Sequence, residues 1–169
     1  MSLLRPDDLF ATVSLITPEY LKKRGIRALV LDVDNTLTAH GSQEVSQEVL
    51  DWLESLHKAG IKLTIASNNF KKRVEPFAKK LGLSCVSFSM KPLTRGLRIA
   101  RHRFGLPKSQ IAMVGDQLFT DCLAANFYGI TMLLVKPRHE DIQWDILLRR
   151  YLEKPFLHRY LKKGGSFHE

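Results

Sequence analysis

Five short apolar runs, separated by amphipathic segments, are the most constraining feature of this 169-residue sequence. The runs are rich in branched side chains, as is typical of strands that are buried on both faces. They cover residues 28–33, 61–66, 83–88, 111–114 and 131–135. Short apolar runs of this kind, each followed by a longer amphipathic segment, predict alternating strands and helices.

The segments between the runs carry apolar residues at intervals of three and four, which predicts helices. The first predicted helix begins at Ser46, a suitable N-cap, and ends before Gly60. The second ends near Leu81, and Pro76 should either kink it or mark its effective start. Two further helices are predicted over residues 93–104 and 118–127.

This alternation predicts an α/β fold with a parallel sheet covered by helices on both faces. Right-handed crossovers would make it a doubly wound, Rossmann-like α/β/α layer structure. The length suits one domain over residues 1–169, with a catalytic core at about 26–136. The flanks, residues 1–27 and 137–169, lie outside the alternation and are predicted to be helical or irregular.

Polar clusters follow four of the predicted strands, at the edge of a parallel sheet where ligands bind. They are Asp32 and Asp34, then Ser67-Asn68-Asn69, then Lys91-Pro92, and finally Gly115-Asp116-Gln117 with Asp121. Each residue has an ordinary alternative when taken singly, since Ser67, Asp34 or Asp121 could cap a helix and Lys91 could be a surface lysine. Together they deliver acids, a hydroxyl and an amine to one rim.

These residue types suit phosphoryl transfer, which needs a nucleophile, charge neutralisation and a proton donor. A carboxylate can attack phosphorus and form an aspartyl phosphate. Magnesium prefers carboxylate, water and phosphate oxygens, and Asp32 and Asp116 can supply the carboxylates. Ser67 and Lys91 offer a hydroxyl and a positive charge to the phosphoryl oxygens.

The ordered motifs Asp32-Val33-Asp34-Asn35-Thr36, Ser67, Lys91 and Gly115-Asp116 through Asp121 resemble those of the haloacid dehalogenase (HAD) superfamily over residues 26–136. The Ser67-Asn68-Asn69 signature and the lack of a large insertion resemble the YqeG family more narrowly. That family is similar to the phosphatidylglycerophosphate phosphatases of mitochondria and plastids.

The resemblance implies a role for each motif residue. Asp32 would be the nucleophile and a ligand of Mg²⁺, and Asp34 the general acid and base, with its main-chain carbonyl reaching the metal. Asp116 would complete the metal site, and Asp121 would support it or pair with Lys91. The phosphate-binding residues would be Ser67, Asn68 and Lys91.

The spacing between the motifs leaves no room for a cap domain over the site. Asp32 and Ser67 are separated by a flap and one helix, and Ser67 and Lys91 by one helix and one strand. A capless site suits a bulky substrate, such as a lipid headgroup at a membrane or a macromolecule. Alternatively, the protein forms an oligomer in which a neighbouring subunit acts as the lid.

Basic charge is concentrated in two parts of the chain. Residues 70–110 hold eleven Lys or Arg and one acid, while the whole chain has a net charge of +9. Such a segment attracts phosphorylated ligands, nucleic acid or anionic membrane, or is simply a solvated helix surface. The segment 144–161 has apolar residues at helical spacing with interleaved Arg and Lys. We expect its apolar face to pack on the core, with membrane contact as the alternative.

The leading functional prediction is a magnesium-dependent phosphomonoester hydrolase acting on phosphatidylglycerophosphate. The alternatives are a capless phosphatase for a nucleic-acid end, a protein or a sugar phosphate, and a non-catalytic adaptor for a ribosomal or nucleic-acid partner. Nucleic acid is less favoured because aromatic residues are sparse in the basic segment. Cys85 and Cys122 lack metal-type spacing, which favours reduced thiols. The acidic Asp7-Asp8 near the start does not suit a signal peptide. We therefore expect a cytoplasmic protein that contacts the inner membrane surface at most.

Overall fold

The structure is a computed structural model that describes residues 3–139 and 143–169. Its strands are β1 (Asp8–Phe10), β2 (Ala28–Leu31), β3 (Lys62–Ala66), β4 (Ser84–Val86), β5 (Ile111–Gly115), β6 (Thr131–Val135) and β7 (Phe167–His168). Its α-helices are α1 (Pro18–Lys23), α2 (Gln47–Lys58), α3 (Lys71–Lys80), α4 (Arg95–Phe104), α5 (Leu123–Tyr128) and α6 (Trp144–Lys162).

Within the described residues, seven strands form one sheet in the order β4-β3-β2-β5-β6-β1-β7, and all paired neighbours are parallel. The central strand β2 shows why helices cover both faces. Leu29 and Leu31 enter one apolar cluster with α2 and α3, whereas Ala28 and Val30 enter another with α4 and α5. Since successive strand residues point to opposite faces, β2 lies between two cores, and the predicted α/β fold is confirmed.

Both ends of the chain contribute strands that the sequence analysis did not predict. The N-terminal β1 pairs with β6, and the C-terminal β7 pairs with β1. These strands have three and two residues, which is too short for a recognisable periodicity. The buried Asp8 in β1 also interrupts the apolar pattern, and it accepts a hydrogen bond from the hydroxyl of Tyr20 at 2.6 Å and pairs with Arg24.

Several predicted elements differ in their extent: β2 ends at Leu31 rather than at residue 33, and α4 begins at Arg95 rather than at residue 93. Strand β4 ends at Val86 rather than at Phe88, because Phe88 and Met90 have φ angles of 47° and 60° and turn the chain out of the sheet. The segment predicted as a helix over 118–127 begins with a wide π-helical turn, Leu118–Cys122, and continues as α5.

The expected packing of the C-terminal apolar residues is wrong for the first turns of α6. Trp144 and Tyr151 are 76% and 69% exposed, and Leu147, Leu148 and Leu152 are also exposed. The side of α6 that faces the core instead carries Ile146, Glu153 and Tyr160. Polar contacts made by Arg150 and Glu153 hold this side against the loop that follows β5. Of the described helices, none is long and apolar enough to cross a membrane.

Candidate active site

The four predicted motifs meet at the carboxyl edge of the sheet. Asp32 follows β2, Ser67 follows β3 and Asp116 follows β5, each directly after the last residue of its strand. Because β2 pairs with both β3 and β5, these three strand ends are neighbours. A cavity of about 190 Å³ opens at this edge. Its lining includes Asp32, Asp34, Ser67, Asn68, Asn69 and Lys91.

Lys91 lies between two carboxylates in the wall of the cavity. Its Nζ is 2.5 Å from Oδ1 of Asp32 and 2.7 Å from Oδ1 of Asp121, and all three side chains are nearly inaccessible to solvent. Burial alone would lower the pKa of Lys91, but the charges of Asp121 and Asp32 outweigh it and raise the pKa above its ordinary value. The amine is therefore a fixed cation beside Asp32.

Three buried acids gather around this pair. One carboxylate oxygen from each of Asp32, Asp116 and Asp121 lies within 4.8 Å of the others. Burial raises the pKa of Asp32 to about 7, with Lys91 opposing the shift and Asp121 adding to it. Burial likewise raises the pKa of Asp116 well above its ordinary value, against the effect of Arg150. A cation would relieve this crowding of negative charge.

The chemistry of this donor set fits Mg²⁺. The three acids offer oxygen atoms only, and their spacing suits a small divalent cation that keeps some of its waters. The carboxylate of Asp34 is not part of this cluster. The resemblance assigns Asp34 to the metal through its main-chain carbonyl, which is a separate prediction.

The close packing of Asp121 depends on Gly115. A Cβ atom at Gly115 would overlap the carboxylate of Asp121. Asp121 is also held in place by the main-chain N–H of Gln117, which donates to its Oδ2 at 3.2 Å. The glycine before Asp116 therefore lets the π-helical turn bring Asp121 back against the end of β5.

The carboxylate of Asp34 is oriented by groups from three parts of the chain. Arg73 of α3 and Asn69 each donate to it at 2.6 Å, and the main-chain N–H of Gly41 in the flap donates at 2.9 Å. His40 lines the same cavity, and its Nδ1 is 3.9 Å from Asp34. Asp34 is thus fixed at the cavity wall, separate from the carboxylate cluster.

Asn68 contacts the loop that carries Lys91. Its Oδ1 accepts from the main-chain N–H of Lys91 at 2.7 Å and from the hydroxyl of Ser89 at 2.9 Å. Its Nδ2 donates to the main-chain carbonyl of Lys91 at 2.8 Å. The side chain therefore positions Lys91, and a phosphate contact by Asn68 stays a prediction. Ser67 is buried and its hydroxyl accepts from the N–H of Asn69 at 3.1 Å.

Helix α6 supplies site residues that the sequence analysis did not single out. Arg150 donates to the main-chain carbonyl of Asp116 at 2.6 Å and also pairs with its carboxylate. Glu153, one turn further, pairs with Arg150 and accepts from the N–H groups of Leu118 and Phe119 at 2.7 and 3.3 Å. These contacts fasten α6 to the loop after β5. Because basic residues are common in this helix, only the spacing of Arg150 and Glu153 could have suggested their role.

The same helix forms one wall of the cavity. Asp145, Ile146 and Arg149 line it together with the residues at the strand ends. Across residues 32–121, all of which the structure describes, no cap domain is inserted between the motifs, as the spacing predicts, but helix α6 covers one side of the site.

The chain matches the haloacid dehalogenase-like hydrolase family over residues 40–129. It is 32% identical to the probable phosphatase YqeG of Bacillus subtilis, an alignment covering 94% of this chain and 92% of that protein. It is 28% identical to phosphatidylglycerophosphate phosphatase 1 of Arabidopsis thaliana over 86% of this chain, but only 45% of that longer protein. Among solved structures, a putative 3-deoxy-D-manno-octulosonate 8-phosphate phosphatase from Vibrio cholerae has the same fold, with a TM-score of 0.50. That comparison covers 64% of this chain and 69% of the other, at 21% sequence identity.

Proposed function

The chain belongs to the haloacid dehalogenase-like hydrolase family, and from this premise we propose that it is a magnesium-dependent phosphomonoesterase with Asp32 as its nucleophile. The observation that carries this proposal is the contact of Lys91 with both Asp32 and Asp121, beside Asp116, at one edge of the sheet. A buried carboxylate beside a fixed cation can attack a phosphoryl group whose negative charge that cation helps to neutralise.

In the proposed reaction, Lys91 and the hydroxyl of Ser67 bind the phosphoryl oxygens. An oxygen of Asp32 forms a bond to phosphorus while the ester P–O bond breaks, and Asp34 gives a proton to the leaving alcohol. Asp34 then takes a proton from water as that water attacks phosphorus, which releases phosphate and restores Asp32. Mg²⁺, bound by Asp32, Asp116 and the main-chain carbonyl of Asp34, would neutralise charge on the transferring group.

Asp34 is well placed for this role because its orientation is fixed. Arg73, Asn69 and the N–H of Gly41 hold its carboxylate at the cavity wall. Preorganised groups of this kind need no rearrangement during the reaction. The flap and α3 therefore contribute to catalysis by orienting Asp34, although neither supplies a reacting atom.

We propose phosphatidylglycerophosphate as the substrate. A cavity of about 190 Å³ encloses a phosphate and a small part of a headgroup, so most of a lipid would remain outside. The exposed apolar residues of α6, adjacent to the cavity wall, suit a substrate with acyl chains. The similarity to the plant phosphatase supports the same substrate.

The proposal takes the chain as one catalytic domain, since both ends of the described chain add strands to the sheet. It also places the protein in the cytoplasm, in peripheral contact with an anionic membrane. A phosphatase acting on a nucleic-acid end, a protein or a sugar phosphate is the alternative, and so is a non-catalytic adaptor. The intact set of acids around Lys91 favours an enzyme over an adaptor.

The test is a substrate panel with purified protein and Mg²⁺. Phosphatidylglycerophosphate in mixed micelles is compared with soluble sugar phosphates, nucleotides and phosphorylated nucleic-acid ends, and released phosphate is measured. We expect magnesium-dependent turnover with a clear preference for the lipid, and none in Asp32→Asn. A preference for a soluble substrate would refute the lipid assignment, and the absence of any turnover would favour the adaptor.

A further inference from the structure

An exposed apolar patch lies at the edge of the sheet that carries the candidate site. We call Phe70, Phe88, Met90 and Leu93 the rim patch. Phe70 and Phe88 are 73% and 51% exposed, and their rings stack with centroids 5.7 Å apart and an interplanar angle of 11°. Adjacent exposed apolar side chains of this size are uncommon on soluble proteins unless they mark an interaction surface.

The loop that presents the rim patch is pinned to its neighbour. The N–H of Phe88 donates to the carbonyl of Asn69 at 2.8 Å, and the N–H of Ser89 donates to the carbonyl of Ser67 at 2.9 Å. Phe88 and Met90 both have positive φ angles, which non-glycine residues adopt only where the surrounding structure imposes them. The buried Ser89 lies between them, so the loop directs its small polar residue inward and its two large apolar residues outward.

The rim patch adjoins the mouth of the cavity. Phe70 directly follows Asn69, and Met90 directly precedes Lys91, both of which line the cavity. On the wall formed by α6, Trp144, Leu147 and Leu148 are exposed beside the lining residues Asp145 and Arg149. Exposed apolar side chains therefore flank the cavity on two sides.

Cationic side chains border the rim patch. Lys71, Lys72 and Arg95 are exposed, and they belong to the segment 70–110 that holds eleven basic residues and one acid. On α6, Arg149, Lys154 and Arg159 are also exposed, among the exposed apolar residues of that helix. Apolar side chains surrounded by basic ones are the combination that binds an anionic lipid surface, where the apolar groups enter the bilayer and the cations meet the headgroups.

We propose that the rim patch and the exposed face of α6 dock the protein on an anionic lipid bilayer, with the mouth of the cavity toward the lipid. This proposal rests on the proposed function, because docking would bring the site to a lipid substrate. Binding to the bilayer itself requires no turnover. The stacking of Phe70 on Phe88 disfavours nucleic acid as the occupant, because each ring already uses one face for the other. A second copy of the chain seated on the patch would block the cavity.

The variants for the test keep the local backbone intact. Phe70 is the N-cap of α3, where serine is favourable, and Phe88 has the left-handed conformation that asparagine tolerates. The double variant Phe70→Ser/Phe88→Asn therefore removes both rings with little cost to the fold. The matched control is Phe127→Ser, since Phe127 is 56% exposed near the end of α5, which leads into the opposite edge of the sheet.

Binding is measured by co-sedimentation with vesicles of phosphatidylglycerol and phosphatidylcholine, and with vesicles of phosphatidylcholine alone. We expect the wild-type protein to bind the anionic vesicles, less tightly at high salt, and the double variant to bind at least about tenfold more weakly. Phe127→Ser should bind like the wild type. All three proteins should hydrolyse a soluble aryl phosphate equally, because none of these side chains belongs to the proposed catalytic set.

Equal vesicle binding by the wild type and the double variant, or no binding by the wild type, would overturn the docking proposal even if all three proteins are active. A wild-type dimer that the double variant abolishes, seen by analytical ultracentrifugation, would overturn it in favour of a second copy. If the wild-type protein binds the anionic vesicles but does not hydrolyse the aryl phosphate, the result counts against the proposed function alone.

Discussion

Replacing Asp32 by asparagine should stabilise the metal-free protein at pH 8 while it removes the proposed nucleophile. In the folded protein the buried acids Asp32, Asp116 and Asp121 face two cations, Lys91 and Arg150. Because the buried Glu153 also pairs with Arg150, these acids outnumber the two cations when all the groups are ionised. An amide at position 32 removes one of these negative charges while Lys91 keeps its contact with Asp121.

The magnitude follows from the pKa of Asp32, which burial raises from 3.8 to about 7. An acid with a raised pKa binds its proton more tightly when folded, so ionising it lowers stability as pH rises from about 4 to 7. Three pKa units correspond to about 4 kcal/mol at pH 8. Since Lys91 loses one partner in the variant, we expect a net stabilisation of about 2 to 4 kcal/mol.

The assay is urea unfolding of the wild type and Asp32→Asn at pH 8 and pH 5, with a chelator present. The stability advantage of the variant should shrink by more than half at pH 5, because much of the penalty of ionisation is absent there. The control is Asp145→Asn in the cavity wall, which lies outside the cluster and should change stability by less than about 1 kcal/mol. A variant less stable than the wild type at pH 8, or an advantage independent of pH, would refute the reasoning.

Three further substitutions test other contacts of the site. Arg150→Met should weaken Mg²⁺ binding by about 10- to 100-fold in calorimetry, because Asp116 loses the partner that orients it; tighter binding would mean that Arg150 competes with the cation. Arg149→Ala should raise the KM for a substrate with a second anionic group several-fold, with little change in kcat. The same variant should leave the KM of a soluble aryl phosphate unchanged. An equal effect on both substrates would contradict a role for Arg149 in binding the second anionic group. Gly115→Ala should lower stability by about 1 to 3 kcal/mol in thermal unfolding and weaken Mg²⁺ binding, because its Cβ would overlap Asp121; a variant with wild-type stability would show that the packing around Asp121 can relax.

The sequence predicted the central strands and the convergence of the motifs because both depend on local signals. Buried parallel strands are continuous apolar runs, and the residues directly after β2, β3 and β5 necessarily lie at one edge of the sheet. The positions of Asp32, Ser67 and Asp116 follow from this rule alone. In contrast, β1 and β7 are too short to produce a pattern, and their pairing depends on contacts between the two ends of the chain.

The features that the sequence did not predict depend on contacts between residues far apart in the chain. Arg150 and Glu153 look like ordinary residues of a basic helix, and only the packing of α6 brings them to Asp116 and Leu118. The same polar contacts turn the leucines of α6 outward, against the expectation that apolar residues are buried. The rim patch could not be predicted either, since its exposure depends on the positive φ angles of Phe88 and Met90.

The central claim is that Asp32 carries the phosphoryl group during turnover. The most direct measurement is mass spectrometry of peptides from protein that is quenched in acid while it hydrolyses an aryl phosphate in the presence of Mg²⁺. We predict a peptide heavier by one phosphoryl group, with the modification on Asp32 and absent from Asp32→Asn. Phosphorylation of another residue, or an active enzyme with no phosphorylated peptide under conditions that preserve acyl phosphates, would contradict the account.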